Sequence, residues 1–109
     1  MTWTVICRYE DLLPERGVAA LIGDAQVAVF RAFDGGLYAI GNQDPFAGAF
    51  VLSRGIVGTR GDIPTVASPL HKQVFDLRTG LCLDDETTSV PVFAVRELDG
   101  QVEVEVSAQ

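Results

Sequence analysis

The chain has 109 residues, of which 15 are acidic and eight basic, giving a formal net charge of −7. That length suits one domain with a modest apolar core and is short for two, so a single domain over residues 1–109 is expected. The acidic balance argues against nucleic acid or an anionic membrane as partner.

No apolar run approaches the roughly 18 residues of a membrane span. The opening MTWTVICRYED also lacks the basic segment and apolar stretch of a secretory signal, so a cytoplasmic location is expected. The charge is unevenly spread. From Asp76 onward there are eight acidic residues against Arg78 and Arg96, whereas Ala47–Phe75 carries Arg54, Arg60 and Lys72 against Asp62 alone. Cys7 and Cys82 are the only cysteines, and both neighbourhoods read as strand, which predicts two reduced core thiols and not a disulfide scaffold.

In chain order, Thr2–Cys7 alternates polar and apolar residues and predicts a first strand. Glu10–Pro14 reads as a turn or a single helical turn, and Val18–Ile22 as a short strand. Gln26–Phe33 is β-branched and aromatic. Asp34-Gly35-Gly36 supplies the positive φ values of a tight hairpin, and Leu37–Ile40 returns. Residues 41–55 hold Asn42, Asp44, Pro45, Gly48 and Gly55 without periodicity and predict an ordered loop, with room for one helical turn within 47–53.

Ile56–Val57 and Thr65–Ala67 read as short strands around the turn Arg60-Gly61-Asp62. Ser68–Lys72 is a second loop, Gln73–Leu77 a strand, and Leu81–Leu83 a return after Arg78-Thr79-Gly80. Val92–Leu98 and Val102–Val106 pair across Asp99-Gly100. Short strands, frequent turns and no long helical periodicity predict an all-β sandwich or partly open barrel of antiparallel strands.

The two loops carry the functional information. The first reads Asp44-Pro45-Phe46-Ala47-Gly48-Ala49, and the second Ser68-Pro69-Leu70-His71-Lys72-Gln73-Val74-Phe75-Asp76-Leu77-Arg78-Thr79-Gly80. This pattern resembles the Rieske ferredoxin family, in which a Cys-x-His loop and a Cys-x-x-His-Gly loop precede a Phe-Asp strand and a Thr-Gly turn. The resemblance implies a Rieske-like fold with two cluster-type loops, and it puts the ligand positions at Asp44, Phe46, Ser68 and His71. Only His71 matches a ligand type.

A Rieske [2Fe–2S] cluster needs two thiolates and two imidazoles. Phe46 has no lone pair, Ser68 has a hydroxyl of high pKa, and Asp44 is a hard carboxylate suited to harder ions. No cluster, metal, cofactor or catalytic residue is therefore expected in this chain. Asp44 is expected to accept backbone N–H groups of its own loop, Phe46 to fill space against Leu70, and the His71 imidazole to hydrogen-bond across the loops. An exposed Phe46 would point instead to an interface anchor.

The runs Asn42-Gln43-Asp44-Pro45-Phe46, Val51-Leu52-Ser53-Arg54-Gly55-Ile56-Val57-Gly58 and Ala67-Ser68-Pro69-Leu70-His71-Lys72-Gln73 more closely resemble the small-subunit branch, that of assimilatory NAD(P)H-dependent nitrite reductases. The resemblance implies a partner: a large subunit carrying FAD, sirohaem and a [4Fe–4S] cluster, which reduces nitrite to ammonium in nitrate assimilation. It also implies an accessory role without independent activity. Phe46, Arg54, Leu70, Lys72 and Arg78 are the expected partner contacts.

Two alternatives stay open on the residues alone. A stand-alone binding or regulatory module predicts a monomer without a reductase partner. An atypical electron-transfer ferredoxin predicts a coloured protein.

Overall fold

A computed structural model describes residues 3–32 and 34–106. Thr2 and Phe33, which the sequence assigns to strands, lie outside the described residues. Nine strands are described: β1 (Trp3–Arg8), β2 (Arg16–Ile22), β3 (Ala25–Arg31), β4 (Leu37–Gly41), β5 (Ile56–Arg60), β6 (Ile63–Ala67), β7 (Val74–Asp76), β8 (Val92–Leu98) and β9 (Gln101–Glu105). Single 3-10 turns occupy Tyr9–Asp11 and Leu52–Arg54. Among the described residues no helix is long and apolar enough to cross a membrane.

The strands form a six-stranded antiparallel sheet in the order β1-β9-β8-β4-β3-β2 and a three-stranded antiparallel sheet, β5-β6-β7. The all-β expectation holds. Strand β3 explains how the two sheets meet. Its run Val27-Ala28-Val29-Phe30 is fully buried on both faces. Successive side chains of a strand point to opposite sides.

Val27 and Val29 therefore enter one core with Leu12, Ala39, Val102 and Val104, to which β1 and β2 add Ile6, Cys7, Val18 and Ile22. Ala28 and Phe30 enter the other with Leu52, Val57, Val66 and Phe75. The large sheet thus curls around one core and carries the small sheet on its outer face. Both cysteines are free thiols, Cys7 beside the first core and Cys82 inside the second, so the fold separates them.

Both hairpins form where turn chemistry places them. In the first, Gly36 N–H donates to Asp34 Oδ1 at 2.9 Å. In the second, Asp99 and Gly100 have φ values of 53° and 81°. Strands β5 and β6 are each longer than the sequence suggests. The sequence stops the first at Val57 and starts the second at Thr65, yet Gly58 pairs Thr65 and Thr59 pairs Pro64. Pro64 is tolerated near the strand's start, and its carbonyl accepts from Leu77 N–H at 2.9 Å.

Leu81–Leu83 forms no strand, only the isolated bridges Phe75↔Cys82 and Leu81↔Ser89. The segment does return along β7, with Asp76 N–H donating to the Leu81 carbonyl at 2.9 Å and Leu83 N–H to the Val74 carbonyl at 2.7 Å, but Asp84 Oδ2 takes the Val74 N–H at 2.9 Å in place of a strand partner.

The small sheet sets up the loops. Ala67 pairs Ile56 on one side and Val74 on the other, so the β4–β5 and β6–β7 loops meet at that end. Gly55 makes the approach possible, because a Cβ there would collide with the Ala67 carbonyl and the Val66 side chain. Gly55→Ala should lower unfolding stability by about 1–3 kcal/mol. Gly58→Ala, whose Cβ would meet nothing nearer than Thr65 Oγ1 at 3.8 Å, should stay within about 0.5 kcal/mol of the parent. Urea denaturation of both variants checks the contrast.

Candidate functional site

The first loop is built on two side chains that replace backbone partners. Asn42 Oδ1 accepts the Ser53 N–H at 2.7 Å, and the Asn42 carbonyl accepts Leu52 N–H at 3.0 Å, stapling the loop's return. Asn42 belongs to no ligand motif; a polar side chain opening a turn-rich loop is its only signal in the sequence. Asp44 then folds the tip. Its Oδ1 accepts Phe46 N–H at 2.8 Å and Ala47 N–H at 3.3 Å, and its carbonyl accepts Gly48 N–H at 2.7 Å. This is the self-capping turn expected of Asp44.

The second loop closes on itself through Ser68. Ser68 N–H donates to the Gln73 carbonyl at 2.9 Å, Lys72 N–H to the Ser68 carbonyl at 3.0 Å, and Leu70 N–H to Ser68 Oγ at 3.3 Å. The Ser68 hydroxyl then donates across the gap to Asp44 Oδ2 at 2.5 Å. Both side chains are buried. The cross-loop bond expected of His71 is thus made by Ser68; the His71 imidazole is exposed and makes no hydrogen bond among the described residues.

Burial pushes the Asp44 carboxyl upward. The Ser68 hydroxyl, the two loop N–H groups and the nearby His71 pull it down, and together they win, leaving it below the usual aspartate range.

Phe46 is partly exposed, with its ring 6.4 Å from that of Phe75 and tilted by 48°. It leans on the small sheet, while Leu70 stands half exposed. Lys72 has a φ of 62°, a left-handed conformation that costs a side-chain-bearing residue about 1–2 kcal/mol. It follows His71, where the Rieske pattern has glycine. Arg54 is exposed beside the loops.

Arg78 is elsewhere. Asp76 pairs Thr65, and Leu77 bonds the Pro64 carbonyl, which carries the chain toward the opposite end of the small sheet. There the Arg78 guanidinium is held by Asp76 at 3.3 Å.

The donor set does not fit a [2Fe–2S] cluster. The four positions offer one imidazole and no thiolate, and the Asp44 and Ser68 oxygens already satisfy each other. Cys82 lies buried in the core behind Phe75. Among the described residues no three His, Cys, Asp or Glu side chains gather to hold a metal ion.

Because the folded pKa of Asp44 lies below the unfolded one, its contribution to stability is complete above the unfolded value of about 3.9. It is lost as pH falls from there through the lower folded value. Asp76, lowered in the same direction against its burial by Arg78, adds to the same acid limb. Asp44→Asn should therefore lower stability at neutral pH and flatten, without abolishing, the loss below pH 4. Melting curves of parent and variant at stepped acid pH measure the difference.

Residues 2–105 match the Rieske-like [2Fe-2S] domain family. The chain is 48% identical over 103 residues to the nitrite reductase (NADH) small subunit of Escherichia coli strain K12, covering 94% of this chain and 95% of that one. The NMR structure of the E. coli protein NirD superposes with a TM-score of 0.90 at 45% identity, covering 98% of each chain. A Klebsiella oxytoca protein named nitrite reductase [NAD(P)H] large subunit is 38% identical over 100 residues, which is 92% of this chain but 10% of that protein. The fold, the paired loops and these likenesses agree: the chain belongs to the nitrite reductase small-subunit family, within the Rieske-like domains.

Proposed function

We propose that this chain is the accessory small subunit of an NAD(P)H-dependent nitrite reductase and works without a cluster of its own. The observation that carries the reading is the buried Asp44–Ser68 hydrogen bond, which ties the two cluster-type loops together with protein groups where a Rieske protein would use iron ligands. Family membership supplies the enzyme.

The Klebsiella likeness supplies the partner, because there a segment similar to almost all of this chain is part of one much longer polypeptide. Covalent continuity of that kind keeps two surfaces at high effective concentration. A separate small subunit has to reach the same arrangement by binding.

On this reading the chemistry belongs to the large subunit, with FAD, sirohaem and a [4Fe–4S] cluster, in the cytoplasmic route from nitrate to ammonium. No electron-transfer step is assigned to a residue of this chain. Its contribution is to bind and order the large subunit, so loss of the small subunit alters the partner's stability or its domain arrangement.

Two measurements test this together. The chain, co-expressed with the large subunit, should co-elute with it in stoichiometric amount. After incubation with iron and sulfide under reducing conditions, the isolated chain should stay colourless. A stoichiometric, redox-active cluster in the isolated chain would overturn the cluster-free role, and independent elution would overturn the subunit assignment.

A further inference from the structure

The distribution of unpaired charge deepens the functional reading and rests on it. Of the eight cations, five are engaged within the fold. Arg8 meets Glu10 at 3.0 Å, Arg60 meets Asp84 at 3.4 Å, Arg78 meets Asp76 at 3.3 Å and Arg96 meets Glu103 at 2.7 Å. Arg31 stacks 4.3 Å over the Tyr9 ring and donates to the Leu12 carbonyl. The other three, Arg16, Arg54 and Lys72, meet no carboxylate among the described residues, although the chain has 15 acids to offer.

All three stand at the loop end. Arg16 and Arg54 line one open cleft of about 320 Å³ with Gly17, Ser53 and Gly55. Gly55 in turn abuts the Ala67 carbonyl, where the second loop begins. Lys72 tops that loop. Positions 45–61 and 63–75 contain no acidic residue, and Asp44, which lies between the loops, is buried against Ser68.

Exposed apolar side chains share this end: Phe46 at 38%, Phe50 at 49%, Leu70 at 50% and Ile56 at 76% of full exposure. An apolar centre edged by unmatched cations is the composition of a protein-binding surface. Lys72 holds its place on this face in a left-handed backbone with a φ of 62°, a conformation that Glu15 and Asp99 also adopt.

We propose that Arg16, Arg54 and Lys72, set around these exposed apolar side chains, form the face that docks on the large subunit, and that the surface it meets is apolar with carboxylates at its edge. The occupant follows from charge and continuity. On a body of net charge −7, carboxylates at the edge of the partner's surface would be drawn to this face in preference to the acidic remainder, so the pairing would also orient the encounter. The Klebsiella polypeptide holds a similar domain permanently beside the rest of its chain.

Binding of the purified small subunit to the purified large subunit, measured by surface plasmon resonance at several salt concentrations, tests the face. Arg54→Glu and Lys72→Glu should each weaken association by about tenfold, chiefly through the on-rate, and flatten its salt dependence. Arg8→Glu, on β1 away from the loops, should bind as the parent does. Lys72→Gly separates binding from folding, because it relieves the backbone; its melting temperature should not fall while its affinity does.

Parent-like affinity in both charge reversals would overturn the proposed face while leaving the subunit assignment intact. Failure of the unsubstituted chain to bind would overturn the assignment itself, and the face with it.

Discussion

A carboxylate removed from water must have its lone pairs matched or it will take up a proton, and Asp44 is buried at the tip of a loop. Two N–H groups from its own turn serve one oxygen, and the Ser68 hydroxyl serves the other. The matching has a structural consequence beyond local comfort. Because the third donor comes from 24 residues away on another loop, satisfying Asp44 also fixes the separation and relative orientation of the two loops. In a Rieske centre a bridging cluster imposes that constraint through four bonds. Here one charge-assisted hydrogen bond imposes it, which leaves the outer surfaces of both loops free for other contacts.

The rest of the fold delivers the two loops to that meeting point. Strand β3 is buried on both faces, so the small sheet is seated on the large one by Ala28 and Phe30 while Val27 and Val29 close the core behind them. The Ala67 register then sets where the loops leave the small sheet, and Gly55 lets the first loop's return pass close to the start of the second. The consequence of this placement is that the sheets carry two loops tied to each other by the Asp44–Ser68 bond, and their outward side chains are apolar or basic on an otherwise acidic body.

Much of this was legible in the sequence. The hairpins announce themselves because Asp34-Gly35-Gly36 and Asp99-Gly100 provide the conformations that tight turns demand. The alternation of apolar residues in β8 and β9, and the continuous apolar run of β3, likewise declare strands. The loop motif, down to the missing ligand types at Asp44, Phe46 and Ser68, is a property of residue identity and needs no coordinates.

The parts that stayed hidden depend on distance. Ser68 and Asp44 each have local partners that account for them alone, so nothing in the string says that they bond to each other, and by side-chain reach the His71 imidazole is the more obvious bridge. Arg78 is close in sequence to the second loop, yet β7 carries it toward the other end of the sheet and Asp76 takes its charge. Leu81–Leu83 has strand composition and does return along β7, but the Asp84 carboxylate takes the Val74 N–H and leaves only isolated bridges. The free charge of Arg16 is visible only once the partners of the other arginines have been placed.

The most direct test of the account is the coupling between Asp44 and Ser68. Urea unfolding at neutral pH of the parent, Asp44→Asn, Ser68→Ala and the double variant isolates that term. A buried hydrogen bond to a charged group predicts a coupling of about 1–3 kcal/mol, with the double variant losing less than the sum of the two single losses. Additive losses, with coupling near zero, would contradict the claim that this bond holds the loops together.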